Sequence, residues 1–363
     1  MTSREVIDSL LRKKRSERVG LTDAPWEDTL RKWAGQGYPV NAENKPVNPA
    51  EHFGFDLYGV GGWFDLAPLR GTEEVLEETN DWIIKRNGAG AALKWWKNKS
   101  GTPEHIDFRM TSRKVWERDY RPHLVTVDRE RLDIPGAKKE LEKRRAQGFW
   151  THYGHLFIWE NMRQSMGDVC MFESLIADPD WIHDYARVHT DLFKAHFKIL
   201  IEEAGKPDGF WFYEDLGYRN GLVCSPRTLE ELIFPYYKEM VDFFHGYGMP
   251  VVFHACGGIT DAVPLVAAAG FDGLNPMEVK AGCDALRFAE QYGDQLTFIG
   301  GLDARVLESG DRGLIRTKVT ELIEGMKARG ASYVFASDHS LSTNIRYQDF
   351  QYALEVYREH MMY

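Results

Sequence analysis

GFWFYEDLGYRNGLVCSPRTLEELIFPYYKEMVDFFHGYGMPVVFHAC, residues 209–256, is the stretch whose reading decides the fold. An unbroken apolar run, GFWFY, ends in two acids. Ser225-Pro226 then caps a helix that breaks near Pro235 and closes at Gly246 and Gly248, and a second apolar run, VVFHAC, begins. Strands apolar on both faces and separated by a helix form parallel β/α units. The same rhythm continues downstream in FDGLNP (271–276), QLTFIGGLD (295–303) and SYVFASDH (332–339), spaced by helical text. Upstream, HLFIW (155–159) is a predicted strand, and Asp178-Pro179 caps a long helix that Gly205 closes. At least five such units in series predict an α/β fold of the (β/α)₈ TIM-barrel type with an N-terminal helical and irregular extension. An open doubly wound sheet is the alternative. Its nucleotide-binding form would need a G-x-G-x-x-G after a strand or a G-x-x-x-x-G-K-[ST], and neither occurs; GVGGW (59–63) has the wrong spacing.

A barrel of about 250 residues plus an extension accounts for 363 residues. The expected division is an extension over residues 1–50, packed on a barrel over 51–363 that carries a polar insertion around 85–150. Thr2-x-x-Glu5 is a capping box for a first helix, and KKELEKRR (138–145) reads as an exposed helix. Gly/Pro/Asn clusters such as GQGYPVNAENKPVNP (35–49) leave the strands of residues 20–125 unplaced.

Apolar residues are 43% and charged residues 28% of the chain, which fits a globular domain and excludes a disordered or coiled-coil chain. A formal charge of −10 argues against nucleic-acid partners. No stretch approaches the ~18 apolar residues that cross a bilayer, and the first residues lack a secretory core, so a cytoplasmic protein with no membrane partner is expected. Four cysteines, Cys170, Cys224, Cys256 and Cys283, form no C-x-x-C pair and no disulfide framework.

In a barrel, reacting groups sit where strands end at the C-terminal face. The runs end in Glu214-Asp215, His254-Ala255-Cys256, Asn275 with Glu278, Asp303, and Asp338-His339. His254 and Cys256 are two apart at a strand end and point the same way, converging imidazole and thiol as zinc prefers. His339, from the last strand, is the expected third ligand, and Glu278 a fourth that substrate displaces. Against this stands the reading of His254 as a satisfied core histidine and Cys256 as a buried thiol. Glu214 and Asp215 read as acid/base groups, as partners orienting a ligand, or as caps; Asp303 as a substrate contact or a helix cap. Asn275, Tyr213 and Asp338 are expected to bind substrate. Trp95-Trp96, Trp211 and Tyr213 line an aromatic pocket or pack the core, and Cys224 and Cys283 read as inert thiols.

YEDLGYRNGLVCSP (213–226), FPYYKEMVDFFHGYGMPVVFHACGG (234–258), GLNPMEVKAGCDA (273–285), FIGGLDARVL (298–307) and ASDHSLS (336–342) resemble, in order and spacing, the uroporphyrinogen decarboxylase superfamily. Its barrels also host zinc-dependent, corrinoid-linked methyltransferases. The resemblance implies a His-x-Cys…Cys zinc site, matched by His254 and Cys256, with His339 where the methyltransferases carry the second Cys. Glu278 falls where some of them place a carboxylate ligand. The decarboxylases' Arg-Gln-Ala-Gly-Arg segment is missing; Arg4, Arg12, Arg15 and Arg18 are present without it. The expectation is a methyltransferase acting on a small molecule with zinc and with cobalamin carried by a separate corrinoid protein, in which zinc activates a thiol acceptor or polarises a methyl ether. A His/Cys/His set is the stronger Lewis acid and tilts the reading to demethylation. A homodimer is among the expected assemblies. The rival enzyme is a metal-free decarboxylase of a carboxylated ring compound, with Asp215, Asp303 or Asp56 as proton donor and His339 on substrate. A metal-free binding protein on the same barrel is the third reading.

Overall fold

The computed structural model describes residues 1–363. Fourteen strands form three sheets. The largest contains β1 (Gly20–Leu21), β2 (Leu57–Gly59), β7 (Trp150–Leu156), β8 (Gly209–Tyr213), β11 (Val251–Ala255), β12 (Gly273–Pro276), β13 (Thr297–Ile299) and β14 (Tyr333–Phe335). All its pairings are parallel, in the order β1-β14-β13-β12-β11-β8-β7-β2. The ends of the order meet: the Asp56 N–H donates to the Leu21 carbonyl at 2.7 Å, and the Asp56 carboxylate accepts from the Leu21 N–H at 2.7 Å. The sheet therefore closes into the expected eight-stranded barrel.

Strand alternation gives the barrel two apolar layers. Phe210, Phe212, Phe253 and Leu274 point outward into the core beneath the helices. Leu57, Trp150, Trp211, Val252, Ile299 and Val334 point inward and meet Val6, Ile7, Leu10 and Leu11. Those four come from the helix Ser3–Leu11, which the Thr2/Glu5 capping box starts and which plugs the barrel at the N-terminal ends of the strands. All four are at most 2% exposed, worth roughly 1.5–3 kcal/mol each in transfer free energy. The Thr297 hydroxyl donates to the Leu10 carbonyl at 2.7 Å and fixes the plug's last turn.

β1 lies inside residues 1–50, so the expected boundary at residue 50 falls between the first two barrel strands. The two residues of Gly20–Leu21 carry too little periodicity to read. HLFIW is also corrected: the strand is Trp150–Leu156, and the helix Ile158–Ala177 begins within the quoted run.

Between β2 and β7 the chain builds an antiparallel sheet of β3 (Glu74–Glu78), β4 (Trp82–Arg86), β5 (Ala91–Trp96) and β6 (Glu104–Phe108), then the helix Ile134–Ala146. The sheet rests on the helix Ile158–Ala177. Gly167 there takes φ +74°, and a Cβ would lie 2.4 Å from the Phe108 ring, so only glycine lets β6 approach. At its other side the Ser100 N–H donates to Asp28, on the helix Glu27–Ala34 that follows β1. Both supporting helices follow barrel strands, which places the inserted sheet on the face where the strands end. A two-stranded hairpin, β9 (Gly217–Tyr218) with β10 (Gly221–Leu222), follows β8 on the same face. No helix is long and apolar enough to cross a membrane.

Candidate functional site

β8 and β11 pair with Tyr213 opposite His254, so the residues just beyond them, Asp215 and Cys256, leave the barrel side by side. The two exit loops cross closely: Gly257 has φ +83°, and a Cβ on it would lie 2.3 Å from the Gly217 carbonyl carbon. In that crossing the Asp215 carboxylate accepts from the Cys256 N–H at 2.9 Å. His254 Nε2 is 3.4 Å from Cys256 Sγ and 3.7 Å from Asp215 Oδ1. Asp215, His254 and Cys256 thus place one ligand atom each within 4.8 Å of one another, all half-buried. Tetrahedral zinc with ordinary bond lengths separates N from S by about 3.6 Å and N from O by about 3.4 Å, so the donor spacing suits the ion.

β12 sets the imidazole. Asn275 donates its amide N–H to the Ile299 carbonyl at 3.0 Å, which turns Oδ1 toward His254 Nδ1 at 2.5 Å. Only Nδ1–H can pair with that oxygen, so the proton sits on Nδ1 and the lone pair of Nε2 faces Cys256 and Asp215. Asn275, expected to bind substrate, is placed to orient His254. Burial and the charges of Asp215 and Glu278 push the Cys256 thiol well above its ordinary range. A cation held between these groups would reverse that balance and favour the thiolate.

His339 and Glu278 do not join the cluster. The His339 ring meets Trp26 edge-on and pairs with the Ser340 carbonyl at 3.3 Å. Glu278 accepts from the Gly257 N–H at 2.6 Å and pairs with Lys280 at 2.8 Å, because Met277 turns the chain back at φ +65°. Its carboxylate therefore props the loop of Cys256. Asp338 is buried and accepts from the N–H groups of Val279 and Ala304, both at 2.8 Å, tying the loops after β12 and β13. Asp303 caps the helix Ala304–Glu308 and pairs with Arg305 at 2.7 Å. Of the two neighbouring acids, Glu214 turns away from the mouth. It is fully buried and accepts from the Phe157 N–H at 2.6 Å, the Trp159 N–H at 2.7 Å and the Tyr237 hydroxyl, holding the start of the helix Ile158–Ala177. Burial raises its carboxyl to about 8 against those donors.

Asp56 is also buried, but it precedes β2 and binds Arg18 through both oxygens at 2.7 and 2.8 Å. That is the end of the barrel opposite the cluster. Arg4 pairs with Asp208 and Arg12 donates to the Gly248 carbonyl at the same end.

Tyr213 does face the site, its ring 5.3 Å from that of His254 and 5.4 Å from Trp63. Glu160 and Arg163, one turn apart on the helix after β7 and paired at 2.7 Å, are hidden in the sequence because their helix starts within HLFIW, whose apolar run reads as strand. Burial lifts the Glu160 carboxyl to about 7, with the charge of Asp215 adding to the rise.

The fold and site define an eight-stranded β/α barrel with a three-donor cluster that could hold a metal ion at the C-terminal ends of adjacent strands. Residues 163–360 match the family model for uroporphyrinogen decarboxylase (URO-D), and the chain belongs to that family. No curated protein matches the chain. Among solved structures it is similar to a methyltransferase from Methanosarcina mazei, with a TM-score of 0.69 and 16% identity over 99% of each chain. It is also similar to an AP endonuclease of family 2 from Brucella melitensis, with a TM-score of 0.35 and 12% identity over 65% of this chain and 86% of that one. An L-ribulose 3-epimerase gives a TM-score of 0.39 and 12% identity over 63% of this chain and 74% of that one. The first of these likenesses confirms the fold along the whole chain.

Proposed function

We propose that the chain is a zinc-dependent methyltransferase that works with a corrinoid-carrying partner protein on a small-molecule substrate. The observation that carries the reading is the convergence of Asp215, His254 and Cys256, at zinc-like spacing, on the face where barrels do their chemistry. The similarity to the Methanosarcina mazei methyltransferase supports it. Asp215, His254 and Cys256 would hold the ion, and bound zinc supplies a Lewis acid for the heteroatom that gives or takes the methyl group. Asn275 keeps the proton of His254 on Nδ1, and Glu278 and Asp215 hold the Cys256 loop through its backbone N–H groups. Glu160 pairs with Arg163 at 2.7 Å beside the mouth, and burial raises its carboxyl to about 7.

The demethylating direction rested on His339 as third ligand. With Asp215 in its place the donors are two anions and one neutral ring, which lowers Lewis acidity and favours activation of a thiol acceptor. Of the proton donors in the decarboxylase reading, Asp56 lies at the opposite end and Asp303 is paired with Arg305, which leaves Asp215 at the mouth, while Arg4, Arg12 and Arg18 lie far from it.

Elemental analysis of chelator-free protein tests the proposal. About one zinc per chain is expected in wild type. It should be lost in Cys256→Ser and Asp215→Asn and kept in His339→Ala. Protein without zinc, or zinc lost only in His339→Ala, overturns it.

A further inference from the structure

β7 and β8 carry a ladder of aromatic rings down the inner wall of the barrel from the metal-type cluster. His254 meets Tyr213 at 5.3 Å, Tyr213 meets Trp211 at 6.3 Å, and Trp211 meets His152 at 5.1 Å. Glycines make the room: a Cβ on Gly154 would lie 3.0 Å from the Tyr213 ring, and one on Gly59 would lie 3.3 Å from His152 Cε1 and 3.6 Å from its Nε2.

At the foot of the ladder the polar atoms are incompletely paired. His152, 7% exposed, directs Nδ1 to the Tyr153 carbonyl at 3.3 Å, which fixes the proton there and leaves Nε2 an acceptor without a protein donor. Burial drives this imidazole down to about 4, so it stays neutral. The indole N–H of Trp211, also 7% exposed, has no acceptor. The Tyr213 hydroxyl has no protein partner either, and burial alone raises it to about 12. Buried polar groups are ordinarily paired, so the lone acceptor of His152, at the foot of the ladder, marks where a ligand group completes the set. A hydroxyl does so by donating to His152 Nε2. A carboxylate offers no proton to Nε2, and it would enter a mouth already holding Asp215, Glu278 and Glu160.

We infer that His152 is a substrate-binding residue of the barrel, and that the substrate is an uncharged molecule with a flat apolar body lying along Tyr213 and Trp211 and a hydroxyl at its far end. This deepens the reading above and rests on the barrel mouth being the reaction site.

Fluorine NMR titration with 4-fluorophenol, 4-fluorotoluene and 4-fluorobenzoate tests the inference, since the three probes share a body and differ only at the end group. Wild type should bind the phenol about two- to tenfold tighter than the toluene, the value of one neutral hydrogen bond, and bind the benzoate most weakly. His152→Leu should keep the toluene and lose the preference. Gly59→Ala, which crowds the same imidazole without removing it, should reduce the preference and stands in if the leucine variant does not fold. An unchanged preference in both variants, equal binding of phenol and toluene to wild type, or tightest binding of the benzoate overturns the inference. Zinc is measured in the same samples. Zinc without the preference overturns the role of His152 and leaves the methyltransferase standing, and the preference without zinc does the reverse.

Discussion

Asn275→Leu removes the acceptor that fixes His254 while keeping a side chain of similar volume. In the protein, Asn275 is itself fixed by donating to the Ile299 carbonyl at 3.0 Å, and its Oδ1 receives the His254 Nδ1–H at 2.5 Å. Leucine leaves that N–H unpaired in a half-buried site, at about 1 kcal/mol for the hydrogen bond alone. The proton is then free to move to Nε2, which removes the lone pair facing Cys256, and the ring is free to turn. Partners of this kind are worth about 10- to 100-fold in metal affinity, or roughly 1.4–2.7 kcal/mol, so the hydrogen bond supplies about half and orientation the rest. Competition with a chromophoric chelator near neutral pH measures the zinc dissociation constant directly. Asn275→Asp, which keeps an acceptor and adds negative charge, should hold zinc within about threefold of wild type or more tightly. A leucine variant with zinc affinity within about threefold of wild type would show that the bond does not set the imidazole, and would refute the tautomer argument.

Glu214→Leu should destabilise the fold by at least about 3 kcal/mol in denaturant unfolding, because it strands the Phe157 and Trp159 N–H groups and the Tyr237 hydroxyl; a loss of activity at unchanged stability would instead restore Glu214 as a reacting group. Asp56→Ala leaves Arg18, only 17% exposed, without its anion and should cost about 3–5 kcal/mol, with zinc stoichiometry unchanged because the pair sits at the opposite end of the barrel; zinc loss in folded variant protein would contradict that separation. His245 is raised above its ordinary value by its 2.7 Å hydrogen bond to Asp272, so the pair's stabilisation is fully present below about pH 6.5 and is lost as pH rises through the folded value. The stability gap between wild type and His245→Asn should therefore narrow from acidic to alkaline pH, and a gap independent of pH in urea titrations would disprove the linkage.

The barrel strands from β8 onward are legible in the sequence because they are apolar on both faces and bounded by caps and glycines, as at Ser225-Pro226, whereas the β9–β10 hairpin is not. β1 and β2 are not, since Gly20–Leu21 and Leu57–Gly59 join the barrel through backbone pairing that their side chains do not announce. His254 and Cys256 were readable from the strand period alone. The third donor was not, because it depends on how loops leave the barrel. Glu214 and Asp215 are adjacent yet face opposite ways, and Met277 curls Glu278 back onto Gly257. His339 was expected at the end of the last strand, but β14 stops at Phe335 and the His339 ring lies against Trp26 in the loop beyond. The inward place of His152 was hidden by a strand start set at residue 155 in place of 150.

The helix that plugs the barrel also dictates an order of events. Lys13 reaches Thr297 across 284 residues, Thr29 reaches Leu341 across 312, and Arg18 reaches Tyr357 across 339. The plug and β1 thus find their partners only once β14 and the helix Tyr347–His360 have been made. Until then Val6, Ile7, Leu10 and Leu11 form an oily stripe with no barrel to enter, on a chain whose contacts are among the slowest kind to form. Mutations that weaken the plug should therefore act first on the yield of folded protein.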